Sequence, residues 1–510
     1  MKGNTGKRHR WLGVLLALMI VPCVHAVLFE ATGDPSYNTN APTGSLTNSG
    51  WQYEGHWGSY LGTPIASNFF IAAQHIGGSV CAPFVFNGVT YTTVTNFDDP
   101  SSDLRIWQVA ETFPYYAPFY TGTAEAGKTC VVIGRGTQRG GPFVQGGVTN
   151  GWLWGTSDAV ERWGENTIAY VGVDQNNRQY LVAQFDHPGI TNECDLSVGD
   201  SSGGMFIKIG TTWELAGIHY AVDGPFSVDG SANDEFNAAL FDMYGLYDCS
   251  GNCMLVTNHT PSAFYSTRVS ARISWINSII TNPAPPFSVR FAATPTNGAA
   301  PLNVAFTDMS CGSITGWAWA FGDGNTSTNQ NPINTYVNAG SYNVTLVVSG
   351  LGGSSTNTVA HLVSVYDPFA WWQLSYFGST NDPSAAPGVD LYGTGMSNTN
   401  KFLAGFNPTN AVAYLHVIGV AKINTNDISV TFLGADGDNT YAPGITSRTN
   451  VLEYTTAAPD GSYLNNFTNP PVQTIILSGG TGLGTVTNMT DAGGATNGPS
   501  RYYRVRVLLP

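Results

Sequence analysis

Cationic residues are scarce in this chain. Lys and Arg number 20 among 510 residues, against 34 Asp and Glu, and charged residues together make up only 11%. A surface so poor in cations offers little to nucleic acid or to anionic lipid, since both are held through their phosphates. No second cysteine pair or histidine pair stands at ligand spacing, so neither a zinc centre nor another metal or cofactor is expected. Long hydrophobic runs are missing too. The apolar stretch "WLGVLLALMIVP" at 11–22 is shorter than the roughly 20 residues of a membrane-spanning helix. No long-range repeat relates one part of the chain to another.

That apolar stretch fits a different use. Lys2, Lys7, Arg8 and Arg10 precede it, and Val24-His25-Ala26 follows as a small-residue cleavage site. This is the layout of a secretory signal peptide, residues 1–26. Cleavage near Ala26 removes four basic residues and no acidic one, which deepens the formal net charge from −14 to −18. Cys23 lacks the small preceding residue of a lipid-anchored cysteine. The expected product is a secreted chain with no stable membrane insertion.

Six cysteines remain after cleavage: Cys81, Cys130, Cys194, Cys249, Cys253 and Cys311. An even number in an exported chain suggests disulfides, and six cysteines allow 15 connectivities. Cys249 and Cys253 are the expected pair, because the loop "CSGNC" brings them together.

What the chain does have is glycine, asparagine, threonine and aromatic residues, a composition suited to β-rich extracellular domains. Residues 27–280 carry short apolar or alternating runs, such as "SNFFIAAQHI", "DLRIWQVA", "TCVVIGRG" and "WELAGIHYAV", separated by Gly, Pro and Asn. That pattern predicts an all-β barrel or sandwich. Val269, Ile273, Ile276 and Ile280 recur at helical spacing, so this first domain is expected to close with a helix. The proline-rich stretch 281–287, "TNPAPPF", reads as a stiff linker. Two further β-patterned units follow, 288–366 and 367–510.

One stretch raises a chemical question. Residues 197–206 read "SVGDSSGGMF", a glycine-flanked Asp-Ser with two adjacent serines, Ser201 and Ser202. A serine hydroxyl is a poor nucleophile until a base takes its proton. The base needs a carboxylate to set its tautomer, and the oxyanion needs N–H donors. His75 stands where an apolar strand runs into two glycines, whereas His56, His187 and His219 lack that setting. Asp103 is delivered by a turn directly onto an alternating strand, but Asp98 and Asp99 are close enough to compete.

Together these pieces resemble the trypsin-like (chymotrypsin-fold) serine protease family over roughly residues 40–280. "AAQH" is similar to that family's Ala-Ala-His segment, with Gln74 inserted. "DLRIWQV" is similar to its Asp-Ile-Ala-Leu strand, with Arg105 in place of a small residue. "GDSSGG" is similar to its Gly-Asp-Ser-Gly-Gly loop. The order His75, Asp103, Ser201 is the family's order. The resemblance implies a two-barrel, mainly β fold and peptide-bond hydrolysis on a protein or peptide substrate. It makes His75 the general base, Asp103 its orienting carboxylate and Ser201 the nucleophile, with the N–H groups of Gly199 and Ser201 as oxyanion donors. It also places Asp195, six residues before Ser201, where members selecting Lys or Arg carry a pocket aspartate, and Tyr220 near the cleft. The chain departs from the family in further ways. Ser202 replaces a glycine, Ile76 replaces the cysteine after the histidine, and no Ile-Val-Gly-Gly terminus is present.

Downstream, "GWAWAFGDG", "NPINTY" and "GSYNVTL" resemble the PKD domain, an immunoglobulin-like β-sandwich, in which Trp317, Trp319 and Phe321 would share a face. Residues 388–410, "GVDLYGTGMSNTNKFLAGFNPTN", resemble a degenerate thrombospondin type-3-like loop ahead of a C-terminal β-sandwich-like module. Tyr392, Thr394 and Lys401 stand where that loop has acidic ligands, so no high-affinity calcium site is expected, and Phe402 and Leu403 should pack inside. These modules suit spacing, or contact with a cell surface or polysaccharide. The leading expectation is therefore an exported serine endopeptidase, and the alternative is an inactive trypsin-like scaffold acting in adhesion or extracellular binding.

Overall fold

Alternating apolar residues build two closed barrels of six antiparallel strands each. In the first, strands β1 (Gly55–Trp57), β2 (Tyr60–Ala66), β3 (Phe69–Ala73), β4 (Pro83–Phe86), β5 (Val89–Asp98) and β6 (Leu104–Val109) close in the order β1-β2-β3-β6-β5-β4. In the second, β7 (Thr129–Gly134), β8 (Arg162–Val173), β9 (Gln179–Gln184), β10 (Gly204–Ile209), β11 (Thr212–Val222) and β12 (Ala263–Arg268) close in the order β8-β9-β12-β11-β10-β7. This computed structural model describes residues 27–509 apart from 232, 351, 438, 442, 443, 446, 459, 464, 468–471 and 497–499. The expected signal peptide lies outside the described residues.

Strand β3 shows why the barrels associate. Its five residues, Phe-Phe-Ile-Ala-Ala, are all buried. Phe70 and Ala72 point into the first barrel, against Trp57, Phe84 and Trp107. The alternate residues, Phe69, Ile71 and Ala73, join Ile133, Phe206 and Ile218 of the second barrel. A strand with period 2 thus supplies two cores at once. β7 mirrors it: Cys130 and Val132 fill the second barrel, while Val131 and Ile133 face the shared core. Val269 and Ile276 add to that core from the chain that follows β12. The expected closing helix is α1 (Ile273–Ile280).

The chain clusters into two compact units. One runs to Val289 and includes Ser310–Thr315 and Val348–Ser355; the other holds Arg290–Met309, Gly316–Val347 and the remainder. Within the first unit the proline-rich stretch is not free. The Gln108 side chain donates to the Ala284 carbonyl at 2.7 Å and accepts from its N–H at 2.9 Å. Cys81, six residues after His75, is bonded to Cys311 of the 310–315 segment. Cys249–Cys253 is the second disulfide, and Cys130 and Cys194 are buried free thiols.

In the second unit, Trp319 and Phe321 are buried with Phe306 in the sandwich core, whereas Trp317 is only half-buried and donates to Asp308. The C-terminal part carries two three-stranded sheets. It also holds two helices where strand or turn was expected. α2 (Pro368–Phe377) is N-capped by Asp367, which accepts from Phe369 N–H, has Pro368 in its first turn and ends on left-handed Gly378. α3 (Asn398–Ala404) is N-capped by Ser397. Phe402 is half-buried against Phe369 and Trp372, and Leu403 is half-buried. The buried residues of α3 are Asn398, Lys401 and Ala404, and Lys401 lies against the Tyr392 ring and the Asp390 charge.

Alkylation of the unfolded, unreduced chain from Val27 onward should modify two cysteines, Cys130 and Cys194. Peptide mapping should recover Cys81 linked to Cys311; a different partner for either cysteine would contradict this connectivity.

Candidate active site

The end of β3 and the turn before β6 set the first two groups. β3 pairs with β6, so that Ala73 lies opposite Leu104 and the segments carrying His75 and Asp103 leave side by side. Asp103 is buried and makes two bonds to one residue. It accepts the His75 backbone N–H at 3.0 Å through Oδ1, and its Oδ2 is 2.6 Å from His75 Nδ1. The competing aspartates are engaged elsewhere. Asp98 pairs with Arg105 beside it, and Asp99 is buried against Arg272 and Ser102.

Ser201 comes from the second barrel, on the turn before β10. Its Oγ is 2.9 Å from His75 Nε2. With Nδ1–H donated to Asp103, Nε2 carries a lone pair toward the hydroxyl, which assigns the tautomer from the hydrogen-bond network. Neither Gly199 N–H nor Ser201 N–H donates to a protein acceptor among the described residues. Gly199 holds a left-handed φ of 100°.

The loop carrying Ser201 is anchored from behind. Asp200 is fully buried and accepts Gly136 N–H at 2.7 Å, Ser197 N–H at 2.8 Å and Ser197 Oγ–H at 3.0 Å. Gly136 must be glycine for this approach, because a Cβ there would lie 2.5 Å from Asp200 Oδ2. Ser202 N–H donates to the His219 carbonyl, and His219 N–H donates to the Gly203 carbonyl.

Ser202 does not compete with Ser201. It is fully buried with a φ of 73°, a left-handed value that usually belongs to glycine. Its Oγ accepts Ala73 N–H at 2.9 Å. The Ser202 side chain therefore fastens the serine loop to the end of β3, two residues before His75.

A cleft of about 290 Å³ opens beside these groups, lined by His75, Ser201, Leu196, Val198, His219 and Tyr220 among others. Tyr220 meets the His75 ring edge-on at 5.9 Å and stacks on Tyr180 at 5.1 Å. Asp195 is not brought to this cleft. It is buried on a short strand paired with Leu28, accepts from Ser262 Oγ at 2.8 Å, and burial pushes its pKa up to about 7. The reason is local: the strand register at Cys194–Asp195 turns the carboxyl away from the cleft. One close group of metal-type ligands occurs among the described residues, Glu235 with Cys249 and Cys253, and both cysteines are consumed in their disulfide.

Two six-stranded antiparallel barrels packed face to face define a chymotrypsin-like, protease-type fold, followed by an immunoglobulin-like sandwich. Residues 282–365 match the PKD domain model. A segment of the chain is 35% identical to the PKD1 domain of the Vibrio cholerae metalloprotease PrtV, covering 15% of this chain and 94% of that one, with a TM-score of 0.14. The chain is also similar to an inactive form of the Mycobacterium tuberculosis protein Rv3671c, at 14% identity, 48% and 98% coverage and a TM-score of 0.27. Similarity to the NS6 protease of murine norovirus 1 is 13% in identity, with 43% and 92% coverage and a TM-score of 0.23.

Two stability measurements follow from this geometry. Ser202→Ala keeps the left-handed strain and leaves the buried Ala73 N–H without an acceptor, so it should destabilise by about 1–3 kcal/mol. Ser202→Gly loses the same bond but relieves strain of about 1 kcal/mol, so its urea midpoint should lie above that of Ser202→Ala. The reverse order would contradict the left-handed strain at position 202, and a Ser202→Ala variant as stable as the parent would remove Ser202 as the acceptor. Burial also raises the pKa of Asp200 and Asp223 to about 6, Asp195 to about 7 and Glu193 to about 8. Raised folded-state values mean that folding takes up protons. This stabilisation is complete below the ordinary carboxylate range and is lost as pH rises through 6 to 8. The urea midpoint should therefore be higher at pH 5.5 than at pH 8.5.

Proposed function

We propose that this protein is an exported serine endopeptidase that works through an acyl-enzyme. The observation that carries this reading is the continuous chain Asp103 Oδ2 to His75 Nδ1, His75 Nε2 to Ser201 Oγ, at 2.6 and 2.9 Å. His75 takes the Ser201 proton as Oγ attacks the substrate carbonyl. Asp103 holds the ring in the required tautomer and stabilises the imidazolium. The undonated N–H groups of Gly199 and Ser201 receive the oxyanion. His75 then hands its proton to the leaving amine, and a water molecule, deprotonated by the same histidine, hydrolyses the ester.

The accessory modules fit an extracellular setting. PKD domains are typical of extracellular proteins, and no described helix is long and apolar enough to cross a membrane. In this reading the PKD and C-terminal modules hold the enzyme near a protein or polysaccharide surface, and the protease unit cuts peptides there.

A fluorophosphonate probe should label the native protein, with the adduct mapping to Ser201. Ser201→Ala and His75→Ala should each lower kcat on a cleaved peptide by about four orders of magnitude or more, and Asp103→Asn by about four. Absence of labelling on folded protein would instead favour an inactive scaffold used for adhesion. Labelling at Ser202 would reverse the assignment of the nucleophile.

A further inference from the structure

A second hollow adjoins the cleft beside Ser201. It holds about 560 Å³, against about 290 Å³ in the cleft, and the two share Tyr220, Ala221 and Val222. Its floor is the outer face of the second barrel. Tyr170 on β8 lies opposite Val182 on β9, Val182 opposite Tyr265 on β12, and Tyr265 opposite Ala221 on β11, so these residues form one row across four strands. The alternate residues Leu181, Ala183 and Phe264 fill the barrel interior. Gly172, opposite Tyr180, adds no side chain and leaves the hollow open beside the Tyr180–Tyr220 stack.

The wall chemistry is one-sided. Tyrosine rings and three carboxyl groups, Asp174, Asp223 and Asp248, line the hollow, and no Lys, Arg or His does. Asp174 is closed into its own turn. It accepts from the N–H groups of Asn176 and Arg178, and the Arg178 charge lies near it. The other end has no such cation. Asp223 accepts from neutral donors, the Ala263 N–H at 2.8 Å and the Tyr265 hydroxyl at 2.7 Å. Asp248, on the short strand Tyr247–Asp248, accepts the Ser250 N–H at 2.9 Å. Burial and the neighbouring Asp248 charge push the Asp223 pKa up to about 6, so above that pH like charges meet in the hollow. Among the described residues, Glu235 with Cys249 and Cys253 is the group of three whose ligand atoms lie within 4.8 Å of one another, so the three aspartates are too widely spread to enclose a metal ion. An organic cation fits instead. Its charge can lie between Asp223 and Asp248 while its methylene stem packs on tyrosine rings.

We propose that this hollow is a second substrate subsite, which takes an arginine or lysine side chain from the third or fourth residue before the cleaved bond. The proposal rests on the reading of Ser201 as nucleophile. In that reading His75 hands its proton to the leaving amine, so the leaving segment departs on the His75 side and the acyl segment lies over the second barrel. β11 leads from Tyr220, whose ring meets His75, to Asp223 just past its end, three residues or about 10 Å further on. An extended peptide beside that strand advances at the same pace, which brings its third or fourth residue level with the aspartates. An acidic side chain there would add a further like charge, and an apolar one would leave the carboxylates uncompensated.

Binding to full-length Ser201→Ala protein, measured by calorimetry at pH 7.5, tests this without turnover. The probes are pools of acetylated tetrapeptides that begin with Arg, Glu or Phe, continue with two alanines and carry an equimolar mixture of residues at the last position. The Arg pool should bind at least about tenfold more tightly than the Glu pool and about threefold more tightly than the Phe pool. Asp248→Asn, added to Ser201→Ala, should weaken the Arg pool at least about threefold and leave the Phe pool unchanged. Adding Asp223→Asn as well should erase the Arg advantage. If that variant does not fold, Asp248→Asn decides alone, since the Asp248 side chain is bonded to a loop N–H and not to the barrel. Equal or undetectable binding of the pools, tightest binding of Glu or Phe, or an undiminished Arg advantage in folded Asp248→Asn would each overturn the assignment. An Arg preference with no fluorophosphonate labelling of the native chain would sink the hydrolase reading and leave the subsite standing. Labelling at Ser201 with no Arg preference would sink the subsite alone.

Discussion

The site depends on one alignment between two barrels. His75 Nε2 and Ser201 Oγ meet at 2.9 Å, although 126 residues separate them in the chain. A shift of about 1 Å at such a contact is costly to catalysis, so something must hold the barrels in register. Apolar packing provides the bulk of the hold: Phe69, Ile71 and Ala73 from one barrel interdigitate with Ile133, Phe206 and Ile218 from the other. The hydrophobic effect is non-directional, however, and cannot by itself set a hydroxyl against an imidazole. Direction comes from the buried Ser202 hydroxyl, which accepts from Ala73 N–H two residues before His75. One residue after the candidate nucleophile is thereby bonded to the strand that carries its base.

The same economy runs through the second barrel. Charge is scarce, and several of its carboxyl groups are buried: Glu193, Asp195, Asp200 and Asp223. Each is satisfied by backbone or hydroxyl donors rather than by a cation. Asp200 braces the serine loop through Gly136 and Ser197, Asp195 ties a short strand to Ser262, and Asp223 accepts from Tyr265 and Ala263. Buried polar groups of this kind specify geometry when every bond is made.

Much of this was legible from local pattern. His75, Asp103 and Ser201 each sit at a turn beside a strand, and turn chemistry and alternation are properties of a few consecutive residues. The helix α1 was legible in the same way, since Val269, Ile273, Ile276 and Ile280 recur at helical spacing. The frame Asp367-Pro368 to Gly378 also carried start and stop signals for a helix, inside a unit read as β-patterned, and capping set the helix there. Asp195 illustrates the opposite limit. Its spacing from Ser201 suggested a pocket carboxylate, while its actual direction follows from pairing with Leu28, 167 positions upstream.

By itself, the sequence determined the mainly β character, the proline-rich stretch, the sandwich segment with its Trp-Ala-Phe-Gly-Asp-Gly turn, and the residues from which a site could be assembled. Those features arise from side-chain period, backbone restriction and turn preference, all of which act over a few residues. Tertiary structure decided which of two adjacent serines faces the histidine, which of three aspartates supports it, where Asp195 points and which cysteine Cys81 meets. Each of those choices is a distance between segments far apart in the chain. Barrel closure and the packing of one barrel on the other set such distances, and neither is written in any short stretch of residues.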